Sequence, residues 1–163
     1  MKKLFIFYFL LCSISSYAQT AGMKLYNPAA NGEKDISDAV KKAKAENKNV
    51  FIQAGGNWCS WCLEFNRFCQ ADSQVDSIIK SDYVVYHLNY SPENKNEPIF
   101  ARLGYPQRFG FPVFLIMDGN GNRIHTQNTS YLEQGKSYNK RKMMEFLQQW
   151  NRKAVNPAAY KNQ

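Results

Sequence analysis

The sequence predicts an α/β chain built on one mixed β-sheet with helices on both faces. Three observations lead there. Short apolar runs around Val50 and Val84 flank helix-like segments, the strand–helix–strand order of a parallel pair. A strongly apolar run, Val113-Phe114-Leu115-Ile116-Met117, meets the turn Gly119-Asn120-Gly121-Asn122 and a return strand, which marks an antiparallel hairpin. Amphipathic segments stand before and after this set.

Each element follows from local pattern. Residues 19–34 carry Asn27-Pro28 and Asn31-Gly32, turn signals of a linker, with a short edge strand expected at 23–26. A helix is predicted from Asp35, because Ile36, Ala39, Val40 and Ala43 recur at helical spacing with lysines opposite; Asn47 ends it. Residues 49–54 contain the buried-strand run Val50-Phe51-Ile52. Gly55-Gly56-Asn57 reads as a flexible turn. A helix is predicted over 59–69, with Leu63, Phe65 and Phe68 apolar. A second helical piece is predicted over 72–81, with Val75, Ile78 and Ile79 on one face. A strand over 83–89, a polar loop over 91–97 and a short helix near 98–103 come next. Strands are predicted over 112–118 and 123–127, then a polar stretch over 128–137. The last helix is predicted over 139–153, with Met143, Phe146, Leu147 and Trp150 at core spacing and Pro157 beyond its end.

The first residues read as an export signal. Lys2 and Lys3 precede an uninterrupted apolar run from Leu4 to Leu11, and Ser16-Tyr17-Ala18 offers small residues for cleavage after Ala18. The run is shorter than the roughly 20 residues a membrane-spanning helix needs. Lipoprotein anchoring at Cys12 is disfavoured by Leu11, where such signals carry a small residue. The expected organisation is therefore a signal peptide over 1–18, a linker over 19–34, one domain over 35–155 and a tail over 156–163. The whole chain has a formal charge of +8; removing Lys2 and Lys3 from 21 basic residues leaves 19 against 13 acidic, a net +6. The excess lies on two helix-like segments and reads as solvated helix faces. An exported chain with no basic–aromatic motif is not expected to bind nucleic acid. Oligomeric state has no signal in the sequence.

Trp58-Cys59-Ser60-Trp61-Cys62 carries the chemistry. Two thiols three positions apart can close a disulfide reversibly when the first sits at a helix start. There, free backbone N–H groups and the positive dipole end favour a thiolate, the species that attacks another disulfide. The competing reading is half of a zinc site. Zinc needs four ligands, and the only histidines, His87 and His125, stand far apart in strand-like contexts. No second cysteine pair exists, so no metal site is expected. Export leaves three cysteines, Cys59, Cys62 and Cys69, and the odd one needs a role. Cys69 lies about 10 Å along the same helix from Cys62, too far to bond to it. A small buried apolar side chain is its expected part.

With these motifs in order, the chain resembles the thioredoxin superfamily, in particular its exported thioredoxin-like branch, over roughly residues 35–153. The resemblance rests on strand 50–54 followed by Trp58-Cys59-Ser60-Trp61-Cys62, on Gly110-Phe111-Pro112 before an apolar strand, and on Asp118-Gly119-Asn120-Gly121 after it. The Tyr131-Leu132-Glu133 loop and last helix look more like small secretory-pathway members than like cytoplasmic thioredoxin.

The resemblance implies a thioredoxin-like fold and a Cys59–Cys62 disulfide. Cys59, partly exposed, would be the nucleophile, and Cys62 the resolving thiol. Trp58, Trp61, Phe111 and Pro112 would shape the client groove. Pro112 would follow a cis peptide bond, leaving the Phe111 backbone free for an extended client. No cofactor would be needed. Partners would be protein disulfides and, in the extracytoplasmic space, a membrane redox carrier, with a slight lean towards reduction. Two departures stand out. Ser60-Trp61 replaces the Gly-Pro of thioredoxin, leaving the potential open. Gln53 stands where thioredoxin carries a buried carboxylate, and an amide cannot take a proton at neutral pH. Glu64 would serve the inner thiol only if it turned inward. The alternative from another class is a binding or chaperone module whose cysteine pair is structural or a covalent tether.

Overall fold

A computed structural model describes residues 24–161. The signal peptide, its cleavage after Ala18, and Cys12 lie outside the described residues. Helix α1 (Gly32–Ala45) precedes strand β1 (Asn49–Gly55) and helices α2 (Ser60–Ala71) and α3 (Ser73–Asp82). Strand β2 (Tyr83–Asn89), helix α4 (Glu97–Arg102), and strands β3 (Val113–Met117) and β4 (Arg123–Asn128) follow. A two-residue hairpin, β5 (Glu133–Gln134) and β6 (Ser137–Tyr138), leads into helix α5 (Lys140–Gln149).

The main sheet runs β2-β1-β3-β4. β1 pairs parallel with β2 and antiparallel with β3, and β3 pairs antiparallel with β4, giving the expected mixed sheet. Strand side chains alternate between faces, and here the alternation sorts two cores. Val50, Ile52, Ala54, Val113, Leu115 and Met117 face α1 and α4, where they meet Ile36, Ala43, Ile99 and Phe100. Phe51, Phe114 and Ile116 face the other way, towards Phe65 of α2, Val75 of α3, and Phe146 and Leu147 of α5. The second face is aromatic: Phe51 and Phe114 have ring centroids 4.9 Å apart, and Phe65 and Phe114 4.4 Å. It is the bed on which α2, the cysteine helix, lies.

Capping side chains set the helix ends and move several from their expected places. α1 begins at Gly32, three residues before Asp35, because the Asn31 side chain accepts from Lys34 N and caps it. α2 begins at Ser60, with Cys59 as its cap, and runs on to Ala71; Asp72 then caps α3 through Gln74 N and Val75 N. α5 is shorter than the predicted 139–153. Asn139 caps its start, and the Trp150 carbonyl accepts from Asn49 Nδ2 of β1 at 2.9 Å instead of continuing the helix. The stretch 128–137 is not irregular throughout, since it holds a 3-10 turn over Thr129–Leu132 and the β5–β6 hairpin.

Residues 24–26 do not form the expected edge strand; Met23 lies outside the described residues. The Asn57 side chain does a strand's work there. Its Oδ1 accepts from Tyr26 N at 3.0 Å, and its Nδ2 donates to Tyr26 O at 2.8 Å. Both backbone groups of Tyr26 are thus satisfied without a ladder.

Candidate redox site

Cys59 and Cys62 are joined by a disulfide, with Cα atoms 5.2 Å apart. Cys59 caps α2 with its sulfur: Cys62 N donates to Cys59 Sγ at 3.1 Å. The Cys62 N–H, shared with the Cys59 carbonyl at 3.0 Å, thus reaches the sulfur as well, and the dipole adds its positive end. Both features stabilise negative charge on Cys59 when the pair is reduced.

Cys59 is more enclosed than expected. Only 5 % of it is exposed, and Cys62 is wholly buried. Leu25, Tyr26, Trp61 and Phe111 close around the pair. Gly55 ends β1, and Gly56 opens the expected turn, its carbonyl accepting from Cys59 N at 3.0 Å; both glycines are also sites of close approach. A Cβ on Gly55 would stand 2.4 Å from Cys62 Sγ, and one on Gly56 would stand 2.4 Å from the Trp58 ring nitrogen. Only glycine lets these groups reach the chain so closely.

The four residues expected to shape a client groove fall into two groups. Trp58 is 58 % exposed, anchored by its Nε1 donating to Tyr90 O at 2.7 Å, and it meets the Phe111 ring edge-on at 5.5 Å. The Phe111–Pro112 peptide is cis. Phe111 makes no backbone–backbone hydrogen bond among the described residues, while the Pro112 carbonyl accepts from Thr129 Oγ1 at 2.7 Å. Trp61 leans the other way, edge-on to Tyr138 at 5.5 Å, and Tyr138 Oη donates to its carbonyl. A cavity of about 710 Å³ opens beside Trp58, lined by Pro28, Asn57, Tyr90 and Pro92.

Gln53 is buried beneath the inner cysteine. Its Nε2 donates to the Cys62 carbonyl at 3.0 Å, so the amide holds the helix backbone. Glu64 does not turn towards Cys62. It pairs with Arg67 at 2.9 Å and accepts from Ser137 Oγ of β6 at 2.7 Å. Nor does it belong to the first turn of α2, which holds no acidic residue, so it adds no charge there to the helix start. His87 pairs in register with Gln53 across β1 and β2. Burial pushes its pKa down to about 4, so it is neutral at physiological pH. Cys69 is half-buried, packed against the aromatic core rather than enclosed by it. Burial and then the nearby Asp76 and Asp72 carboxylates push its thiol pKa up. No group of three or more metal-ligating side chains converges among the described residues.

Sequence reasoning missed Tyr26 and Asn57. Both sat in segments read as linker and turn, and their contact spans 31 positions. No short-range pattern signals such a pair.

A thioredoxin-like family model matches residues 31–119. Among curated relatives, the thiol:disulfide interchange protein DsbD of Colwellia psychrerythraea is 25% identical over 118 residues, 72% of this chain and 18% of that protein. The DsbD of Salmonella typhi is 29% identical over 79 residues, 48% of this chain and 13% of that protein. The chain thus spans less than a fifth of the length of either. Among solved structures, a disulphide isomerase from Xylella fastidiosa Temecula1 superposes with a TM-score of 0.65 at 15% identity, covering 77% of this chain and 95% of that one. The oxidised C-terminal domain of Neisseria meningitidis DsbD gives 0.52 at 17% identity, covering 75% and 97%. At these identities the structural likeness establishes the fold. No helix among the described residues is long and apolar enough to cross a membrane.

Proposed function

The chain belongs to the thioredoxin-like family, and from that premise we propose that it is an exported thiol–disulfide oxidoreductase acting on protein disulfides through Cys59 and Cys62. The observation that carries this reading is the cysteine pair at the cap of α2, where a backbone N–H faces the Cys59 sulfur. The likeness to relatives named thiol:disulfide interchange proteins supports it.

In the reducing direction, the Cys59 thiolate attacks one sulfur of a client disulfide. A mixed disulfide forms, and the other client sulfur leaves as a thiolate. The Cys62 thiolate then attacks Cys59 Sγ, releases the second client thiolate and closes the Cys59–Cys62 disulfide. Two electrons pass from protein to client, so no cofactor enters. The leaving thiolates take up protons from solvent. A membrane redox carrier would return the electrons. Trp58 and Phe111 form the wall a client strand would meet, and the unpaired Phe111 backbone offers it hydrogen bonds. Export is supported by the sequence of residues 1–18.

A second reading, a binding or chaperone module, draws on the near-complete burial of Cys59 and the cavity beside Trp58. Cys62→Ser separates the two. An oxidoreductase will accumulate clients as mixed disulfides on Cys59, released by reductant. A module with a structural disulfide will trap none, and its wild-type Cys59–Cys62 pair will resist reduction.

A further inference from the structure

Resolution of a mixed disulfide requires Cys62 as a thiolate, yet its side chain is wholly buried. Burial favours the neutral thiol. Gln53 cannot accept the proton, and its amide N–H is engaged by the Cys62 carbonyl.

Tyr26 stands at that sulfur. It is 1 % exposed, and its hydroxyl has no hydrogen-bond partner. A Cβ built on Gly55 would lie 2.4 Å from Cys62 Sγ and 2.9 Å from Tyr26 Oη, so sulfur and hydroxyl border the same point above the glycine. A buried, unpaired hydroxyl is costly, and native proteins seldom keep one without a use. The residue is also held in place. Asn57, two positions before Cys59, binds both its backbone groups, and His87 meets its ring edge-on at 5.6 Å.

We propose that Tyr26 Oη donates a hydrogen bond to the Cys62 sulfur once the disulfide opens, and thereby stabilises the resolving thiolate in its buried site. The inference rests on the oxidoreductase reading of the pair. A disulfide sulfur is a poor acceptor, so the hydroxyl is unpaired in the oxidised structure; a thiolate is a strong one. The bond belongs to the reduced state alone and draws the equilibrium towards the dithiol. No proton is transferred. Burial, then the Tyr138 phenol, push the Tyr26 pKa up; the Gln53 side-chain amide, near the hydroxyl but outside hydrogen-bond geometry, offsets part of this, so the group stays protonated and acts as a donor. The titratable groups facing the site are Cys59 and Cys62 of α2, His87 of β2 and Tyr138 of β6.

Tyr26→Phe removes only the hydroxyl. Its equilibrium with glutathione is expected to move about tenfold towards the disulfide. In a Cys59→Ser background, alkylation of Cys62 at neutral pH should slow about tenfold, with its pH profile displaced upwards. The oxidised variant should be at least as heat-stable as wild type, which a merely structural role would not produce. Both redox readouts within twofold of wild type would overturn the proposal. Should Tyr26→Phe not fold, Asn57→Ala, which releases the Tyr26 backbone, decides by the same two readouts. If wild type reduces no protein disulfide, the oxidoreductase reading falls, while the Cys62 alkylation profile still tests the hydrogen bond.

Discussion

Cys59 and Cys69 stand at opposite ends of the same helix α2; Cys59 is the more enclosed of the two, and the polar groups and charges around them differ. At the N-terminal end, the Cys59 sulfur faces a backbone N–H and the positive end of the dipole. At the other end, Cys69 lies in the last turn, near the negative end. It is half-buried, and Asp76 and Asp72 stand close by. One arrangement favours the thiolate and the other opposes it. The difference teaches that a thiol's surroundings, its backbone donors, its burial and the charges beside it, rather than residue type, set how readily it ionises.

The strongest way to break this comparison is to exchange the two thiols for inert side chains. Cys59→Ser should lower protein-disulfide reduction by roughly a thousandfold or more, while Cys69→Ala should stay within twofold. In the reduced wild type, alkylation followed by mass spectrometry should find Cys59 modified first. Rapid labelling of Cys69 would show that its carboxylate neighbours do not restrain it.

A smaller effect probes how tightly the reactive end is built. Gly55→Ala forces a methyl group into the space of Cys62 Sγ and Tyr26 Oη, and should cost about 1–3 kcal/mol by urea unfolding. The loss should be greater in the disulfide form, where the sulfur cannot rotate away. A neutral result would mean that the sulfur and the ring give way more readily than their packing implies.

The smallest effect tests the other end. A hydrogen bond and ion pair from Lys140 hold the Asp72 carboxyl below its ordinary range against partial burial, aided by Val75 N and Gln74 N. Because its folded pKa is depressed, its stabilisation is fully present above the unfolded value near 4 and is lost as pH falls below it. Asp72→Asn keeps the α3 cap but lacks this titration. Its urea midpoint should therefore fall less steeply than wild type between about pH 5 and 3. Parallel acid limbs for the two proteins would show that Lys140 contributes nothing there.

Much of this frame was legible beforehand. The apolar run Val50-Phe51-Ile52 and the hairpin after Met117 are local signals, and the observed sheet uses both as read. Residues 83–89 form the expected strand for the same reason. Helix ends were less legible, because side chains such as Asn31, Asp72 and Asn139 can cap at more than one register and the competing backbone partner decides. Asn49 shortens α5 from across the sheet, an influence no window along α5 contains. Around the cysteines, Trp58 was visible as a neighbour in sequence. Its anchor on Tyr90 and its contact with Phe111 were not.

The sequence by itself determined the strand and helix order and the spacing of the cysteine pair. These are properties of adjacent residues and their periodicity, which need no knowledge of the rest of the chain. The tertiary structure alone decided which face each strand presents to α2, how deeply Cys59 is enclosed, where Glu64 turns, and that Tyr26 packs with the cysteine pair. Those outcomes depend on contacts between distant segments, and burial, desolvation and hydrogen bonding exist only once those segments meet.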